Sequence, residues 1–228
     1  MKNLAKRLIL QTPFEGFVRK ILRKPSTEFV DSGNYWEQRY QANGNSGAGS
    51  YGRLAEFKAE VLNDFVRKQQ INSVIEYGCG DGNQLTLANY PSYIGVDVSP
   101  QAIALCTERF KPDGSKSFLL SGESEGQKAE LALSLDVIYH LVEDLTFERY
   151  MEELFRTGTR HVVIYSSNHS DNSSTRVKHV RHRRFTDWVT ENATEFELIN
   201  HLPNKYPYDA TNPDQTSFAD FYFFARKV

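Results

Sequence analysis

The chain is short of cysteine, of long apolar runs and of net charge, and each shortage excludes something. Cys79 and Cys106 are its only cysteines in 228 residues. Two thiols cannot build a disulfide framework, so a reducing cytoplasm is the expected compartment. No stretch of 18 apolar residues occurs, which leaves no candidate for a membrane-spanning helix. Near the N-terminus the longest apolar run is Leu8-Ile9-Leu10, too short for the core of a signal peptide. The formal net charge is −2, so the overall balance does not favour nucleic acid as a partner. What remains is ordinary globular composition, with 39% hydrophobic and 13% aromatic residues. The length suits one domain with additions, and it is enough to bury a core.

The charge is unevenly spread. Residues 1–24 carry Lys2, Lys6, Arg7, Arg19, Lys20, Arg23 and Lys24 against Glu15 alone, a net +6 that leaves −8 for the rest. The same stretch holds Leu4, Leu8, Phe14, Phe17, Val18, Ile21 and Leu22. A basic, partly amphipathic segment suits an anionic membrane surface, and it equally suits a solvated helix packed on the domain. The expected organisation is a basic leader over 1–30, a helical cap with a glycine-rich lid over 31–70, and a core over 71–228.

Hydrophobic periodicity orders the rest. Phe29 to Gln41 reads as a helix, and Asn43 to Gly52 as a loop of small residues. Leu54, Phe57, Val61, Leu62 and Phe65 recur at amphipathic-helix spacing. Strands are expected at 71–77, 93–97, 117–120, within 131–138, and at 160–166. Helices are expected at 83–89, 100–110, 145–155 and 185–192, with Pro100 at a favoured first-turn position. Two last strands fall at 196–201 and 218–227. Alternating strands and helices followed by two strands predict an α/β fold. Its sheet is doubly wound, seven-stranded and mostly parallel, with an antiparallel edge strand and helices on both faces.

The segment Glu76-Tyr77-Gly78-Cys79-Gly80-Asp81-Gly82-Asn83 follows the first strand. Glycines there let a ligand approach the backbone, as in nucleotide-type sites. Asp97 ends the next strand, where a carboxylate can accept bonds from two ribose hydroxyls. The dinucleotide fingerprint wants glycine where Asn83 stands. The spacing Glu76-x-Gly78-x-Gly80-x-Gly82 instead resembles motif I of the class I S-adenosylmethionine-dependent methyltransferases. Gly95-Val96-Asp97-Val98-Ser99 resembles their ribose site. Leu135-Asp136-Val137-Ile138-Tyr139-His140-Leu141-Val142-Glu143-Asp144 resembles the fourth-strand segment of small-molecule members related to the ubiquinone-pathway enzymes. At the family level the chain also resembles small methyltransferases of bacterial surface-polysaccharide pathways.

This resemblance implies a Rossmann-like methyltransferase fold and S-adenosyl-L-methionine as cofactor. It implies cofactor contacts from Glu76, Gly78, Cys79, Gly80, Asp81, Gly82, Asn83, Asp97, Val98, Leu135 and Asp136. Cys79 by itself reads as a small buried filler, not a nucleophile. His140 and Asp136 are the candidates to take a proton from the acceptor. Tyr139 reads as packing or substrate contact, and Tyr35, Tyr40 and Tyr51 as residues closing over the cofactor.

The run His179-Val180-Arg181-His182-Arg183-Arg184 points to an anionic substrate, phosphate- or carboxylate-bearing, held by His179, Arg181, His182 and Arg183. A solvated charge run is the plain alternative. No carboxylate at a familiar spacing accompanies the histidines, so no metal is expected. The expected activity is methyl transfer to O or N of a small anionic metabolite or glycan building block. The alternatives are a non-catalytic module that binds the same cofactor and a nicotinamide-dependent oxidoreductase. Target-base amine methylation is disfavoured, since Asp136-Val137-Ile138-Tyr139 lacks the expected prolines.

Overall fold

The computed structural model describes residues 29–173, 175 and 177–227. The basic leader, apart from its last residues Phe29 and Val30, lies outside the described residues. No described helix is long and apolar enough to cross a membrane.

The elements, in chain order, are α1 Ser32–Gln41, α2 Gly52–Lys68, β1 Val74–Tyr77, β2 Tyr93–Asp97, α3 Pro100–Arg109, β3 Lys116–Leu120, β4 Ala129–Leu135, α4 Asp144–Thr157, β5 Gly158–Ser166, α5 Phe185–Asn192, β6 Phe196–Leu202 and β7 Asp220–Arg226. They form one seven-stranded sheet of order β3-β2-β1-β4-β5-β7-β6. Strands β1 to β5 pair in parallel, and β7 runs antiparallel between β5 and β6. The doubly wound sheet predicted from the alternation is therefore the one observed. The winding direction reverses between β1 and β4, so ligands belong at the carboxyl ends of those strands.

Period-2 alternation supplies both faces. In β4, Leu131 and Leu133 join Phe57, Leu62 and Val66 of α2 on one face. Ala132 faces the other way, towards Phe147, Met151, Leu154 and Phe155 of α4 and Phe185 and Val189 of α5. Strand β7 divides the same way, with Phe221 and Phe223 on the α2 side and Tyr222 and Phe224 on the α4 side. Local signals set the helix starts. Asp31 caps α1 by accepting from the Asn34 amide at 2.7 Å. Ser99 caps α3 from the Ala102 amide at 3.3 Å, with Pro100 in the first turn.

One expected helix is absent. Residues 83–89 form only a 3₁₀ turn, Gln84–Leu87. The carboxamide of Asn63 on α2 donates to the Leu87 carbonyl at 2.9 Å and accepts from the Asn89 amide at 2.8 Å, which ends the turn. Pro91 then biases Tyr90 away from helical backbone before β2 begins. The fourth strand also stops earlier than its apolar run, because Asp136 turns into left-handed backbone at φ 60°. Between β3 and β4 the chain makes only the 3₁₀ turn Ser121–Glu123, with no helix over that part of the sheet.

Candidate functional site

At the carboxyl ends of β1, β2 and β4 lies a cavity of about 830 Å³, within the usual size range of small-molecule sites. Gly78, Gly80, Asp97, Val98, Leu135, Asp136 and His140 are on its wall, as the sequence suggested. The structure does not bring Glu76, Cys79, Asp81, Gly82, Asn83, Tyr139, His179, Arg181, His182 or Arg183 to that wall.

The glycine loop is shaped by necessity. Gly78 and Gly80 hold φ of 85° and 59°. A Cβ on Gly78 would strike Val137, and one on Gly80 would strike the Ser46 hydroxyl. The loop's amides are all committed to protein acceptors. Gly78 and Cys79 donate to the Val96 carbonyl, and Gly82 donates to the Cys79 carbonyl. Gly80 donates to Asp97 Oδ2 at 3.0 Å, Asp81 to Ser46 Oγ at 2.9 Å, and Asn83 to Asp81 Oδ1 at 3.0 Å. A pyrophosphate would find neither free N–H groups nor a following α-helix whose N-terminus could hold it. Both findings count against a dinucleotide.

Asp97 is buried, and burial raises its pKa despite the amides of Ser99 and Gly80. Each of its oxygens accepts one of those N–H bonds, and a carboxylate has further acceptor capacity, here on a residue that lines the cavity. Cys79 is buried, and its hydrogen bond with Cys106, followed by burial, pushes the thiol up. The other thiol, Cys106, donates to the Gly80 carbonyl at 3.2 Å, so both cysteines support the loop from behind.

Glu76 also stands behind the loop. Its Oε2 accepts from the Tyr93 hydroxyl at 2.7 Å. Burial raises its pKa to about 7, against lowering by Tyr93 and Lys58. The unfolded chain therefore ionises Glu76 first as pH rises. Its contribution is fully present below about pH 4.5 and is lost as pH passes about 7. Glu76→Gln is expected to gain about 3 kcal/mol over the native chain at pH 8 and about nothing at pH 4.5. Urea melts at the two pH values measure this.

The glycine-rich segment before α2 is fastened over the loop. Asp81 Oδ2 accepts from the Ser46 amide at 3.0 Å and from the Tyr51 hydroxyl at 2.7 Å. Burial would raise Asp81, but Tyr51 and the Asn83 and Ser46 amides outweigh it, and the net shift is downward. Asn83 Nδ2 donates to the Ser50 carbonyl at 2.8 Å. Tyr40 bonds Ser46 at 2.9 Å and lines the cavity with Trp36. Tyr35 is elsewhere, stacked on His179 at 4.0 Å between ring centroids.

Asp136 is tied on both sides. Lys58 Nζ lies 2.7 Å from Oδ2, and the Tyr139 hydroxyl donates to Oδ1 at 2.8 Å. Lys58 is 1% exposed, and it is not among the residues the sequence motifs point to. The sequence did carry a signal, since Lys58 falls midway between Leu54 and Leu62 on the apolar stripe.

His140 sits in the 3₁₀ turn Ile138–His140 after β4. Its Nδ1 is 2.9 Å from the His179 carbonyl, and a carbonyl only accepts, so Nδ1 carries the proton. Nε2 therefore holds the lone pair. Nε2 has no hydrogen-bond partner among the described residues, and His140 lines the cavity. Burial lowers the His140 pKa to about 4, opposed in part by the His179 carbonyl.

Arg181 and Arg183 of the basic run bond the chain itself. Arg181 and Arg183 both pair with Asp144, at 2.9 and 3.0 Å, and both donate to the Val142 carbonyl. His182 Nδ1 lies 2.7 Å from Ser167 Oγ. The arginine bonds brace residues 141–144, directly after His140. The cationic side chains on the wall are instead Arg149 and Arg156 of α4, which share a helical face with Thr146, Tyr150 and Glu153.

No family model and no curated protein matches the chain. Solved structures do match. The N-methyltransferase NodS from Bradyrhizobium japonicum WM9, bound to S-adenosyl-L-homocysteine, has a TM-score of 0.68 at 16% identity, covering 87% of this chain and 100% of its own. Magnesium protoporphyrin IX methyltransferase (ChlM) from Synechocystis PCC 6803, with bound S-adenosylmethionine, has a TM-score of 0.62 at 13% identity, covering 87% and 98%. The methyltransferase domain of a bacterial Hen1 has a TM-score of 0.58 at 18% identity, covering 75% and 97%. The fold is therefore the Rossmann-like fold of S-adenosylmethionine-dependent methyltransferases.

Proposed function

We propose that the chain is an S-adenosylmethionine-dependent methyltransferase acting on a small polar acceptor bound beside His140. One observation carries the reading: a single cavity is lined by Gly78 and Gly80, by Asp97 and by His140. The residues fit the cofactor. Asp97 has acceptor capacity left for two ribose hydroxyls, the glycines leave space along the backbone, and no phosphate donors are on offer. Gly78, Gly80, Asp97, Val98 and Leu135 would hold the cofactor, which supplies an electrophilic methyl group.

The chain's own groups do the rest. Trp36, Tyr40 and Leu141 exclude water from the acceptor end. His140 Nε2 is neutral at physiological pH and takes the acceptor's proton as the new bond forms. Asp136 is held as an anion partner for Lys58 and orients the turn that carries His140. An anionic acceptor remains part of the proposal, with a different reader. Arg149 is exposed on the wall and makes no ion pair among the described residues, whereas Arg181 and Arg183 are occupied. A small molecule is favoured over RNA, the substrate class of one matching structure named a small RNA methyltransferase. The net charge of the chain is only −2, which offers a polyanion no overall attraction. The two free thiols fit a reducing cytoplasm.

Calorimetric titration with S-adenosyl-L-homocysteine and with NAD⁺ tests the first step. Stoichiometric binding of the former alone is expected, weakened at least about tenfold in Asp97→Ala, where hydrogen bonds to a charged group are lost. Absence of binding overturns the reading. A screen of phosphorylated and carboxylated metabolites for S-adenosyl-L-homocysteine release then tests turnover. Cofactor binding with no turnover on any acceptor favours the non-catalytic module.

A further inference from the structure

The connection from β3 to β4 is only the eight residues 121–128. A crossover between parallel strands usually takes a dozen or more and carries a helix. This one supplies no helix beside α4, and Ile94 of β2, on the α4 side of the sheet, is only partly buried. The cavity reaches into this region. Its wall here is Tyr77 of β1, Ser124 and Glu125 of the short connection, and Tyr150, Glu153 and Arg156 of α4.

These groups are neighbours. The Tyr77 hydroxyl donates to Glu153 Oε1 at 3.0 Å, and the Tyr150 hydroxyl lies 3.0 Å from the Tyr77 carbonyl. Burial raises the Tyr77 pKa to about 12, opposed by Thr157 and more weakly by Ser124, which places the short connection beside this phenol. Arg156 pairs with Glu153, and Glu153, then Tyr77 and Glu125, raise its pKa. The wall continues along α4 to Thr146, since Arg149 and Tyr150 share the helical face of Glu153. From Thr146 to Arg156 that face is about 15 Å long.

Two charges on this stretch are free. Arg149 and Glu125 are exposed, and neither makes an ion pair among the described residues. Glu153 and Arg156 are engaged with each other. Thr146, Ser124, Tyr77 and Tyr150 add hydroxyls. A guanidinium fork fits a phosphate or carboxylate, and a free carboxylate accepts from a ligand's hydroxyl groups. A molecule that meets both is an anion on a polyhydroxylated frame.

We infer that this lobe is a second subsite for a phosphorylated or carboxylated sugar, with the anion on Arg149 and the ring hydroxyls on Glu125 and Ser124. It rests on the methyltransferase reading only for the cofactor at the Gly78, Gly80 and Asp97 end of the same cavity. The sugar anion fills the lobe while that cofactor stays bound. The same chemistry belongs to the far end of the acceptor or to a separate metabolite, and turnover tells the two apart.

The test is calorimetric titration of the full chain, alone and saturated with S-adenosyl-L-homocysteine, with glucose 6-phosphate, glucose 1-phosphate and glucuronate. At least one is expected to bind the saturated chain about tenfold or more tightly than glucose or inorganic phosphate does, since both halves of the ligand are read. Arg149→Ala is expected to weaken it at least about tenfold and Glu125→Ala at least about threefold, with the urea midpoint of these surface variants unchanged. S-adenosylmethionine in place of the homocysteine cofactor, followed by mass spectrometry of the sugar anion, separates the sources. Gain of one methyl group makes it the acceptor, and no gain makes it a separate ligand of the subsite. Binding no tighter than inorganic phosphate, binding only without S-adenosyl-L-homocysteine, or undiminished binding in both variants overturns the inference. If S-adenosyl-L-homocysteine fails to bind while a sugar anion still binds through Arg149, the methyltransferase reading falls and the subsite stands.

Discussion

His140→Ala is expected to lower kcat by about 10²–10⁴-fold while cofactor affinity stays within about threefold, the signature of a lost proton acceptor. Three rings and one carbonyl hold the imidazole. Trp36 meets it edge-on at 4.9 Å, Tyr139 lies at 4.5 Å and His179 at 5.4 Å between centroids. The His179 carbonyl dictates the tautomer. A residue placed this way can do one thing, present an unprotonated Nε2. Because burial brings its pKa to about 4, protonation removes the base only in strong acid. The acid limb of kcat/KM is therefore expected near pH 4, and not near the ordinary histidine value of about 6.5. His140→Gln keeps a hydrogen-bond acceptor but no titrating group, so any residual activity in it should lose that limb. Wild-type kcat in the alanine variant would remove His140 from the chemistry.

The largest effect on stability is expected at Lys58. Its ammonium is 1% exposed and 2.7 Å from Asp136, so Lys58→Met leaves a largely buried carboxylate without its counter-charge. Breaking such a pair from one side costs about 3–5 kcal/mol. For a chain of this size that is a fall in Tm of about 10 °C. The double variant Lys58→Met with Asp136→Asn removes both charges, and asparagine tolerates the left-handed backbone that Asp136 adopts at φ 60°. It is expected to recover more than half of the loss. Urea melts of the two single variants and the double variant give the coupling directly. Additive losses would mean that the two groups do not depend on each other.

Much of this was legible in the chain. The apolar strand runs within 131–138 and at 160–166, Pro100 in the first turn of α3, and the glycine loop followed by Asp97 are local signals, and those elements formed where their signals lay. The cavity wall was legible where it comes from strand ends, as at Gly78, Asp97, Leu135 and His140. Reading failed where the deciding partner is distant in sequence. The missing helix after the glycine loop is stopped by Asn63, on the preceding helix. The Arg181–Arg183 run resembles an anion site until Asp144, on another element, is seen to absorb it. Charge composition says how many cations a segment has, and only the fold says which are already engaged. Lys58 and Arg149 show the converse. Both stand at helical spacing among residues that face inwards, yet nothing local tells whether the inward side is a core or a cavity.

The saturated glycine loop also bears on selectivity in a crowded cell. Nucleotides carrying phosphates are abundant there, and most share an adenosine moiety with the cofactor proposed here. Such a competitor could use Asp97 for its ribose. For each phosphate contact with the loop, however, it would have to break a bond that Asp97, Ser46, Asp81, Cys79 or Val96 already makes. The penalty falls on the competitor alone, because a ligand without phosphates leaves those bonds intact. Discrimination is thus achieved by donors withheld, ahead of any contact with the part of the ligand that reacts.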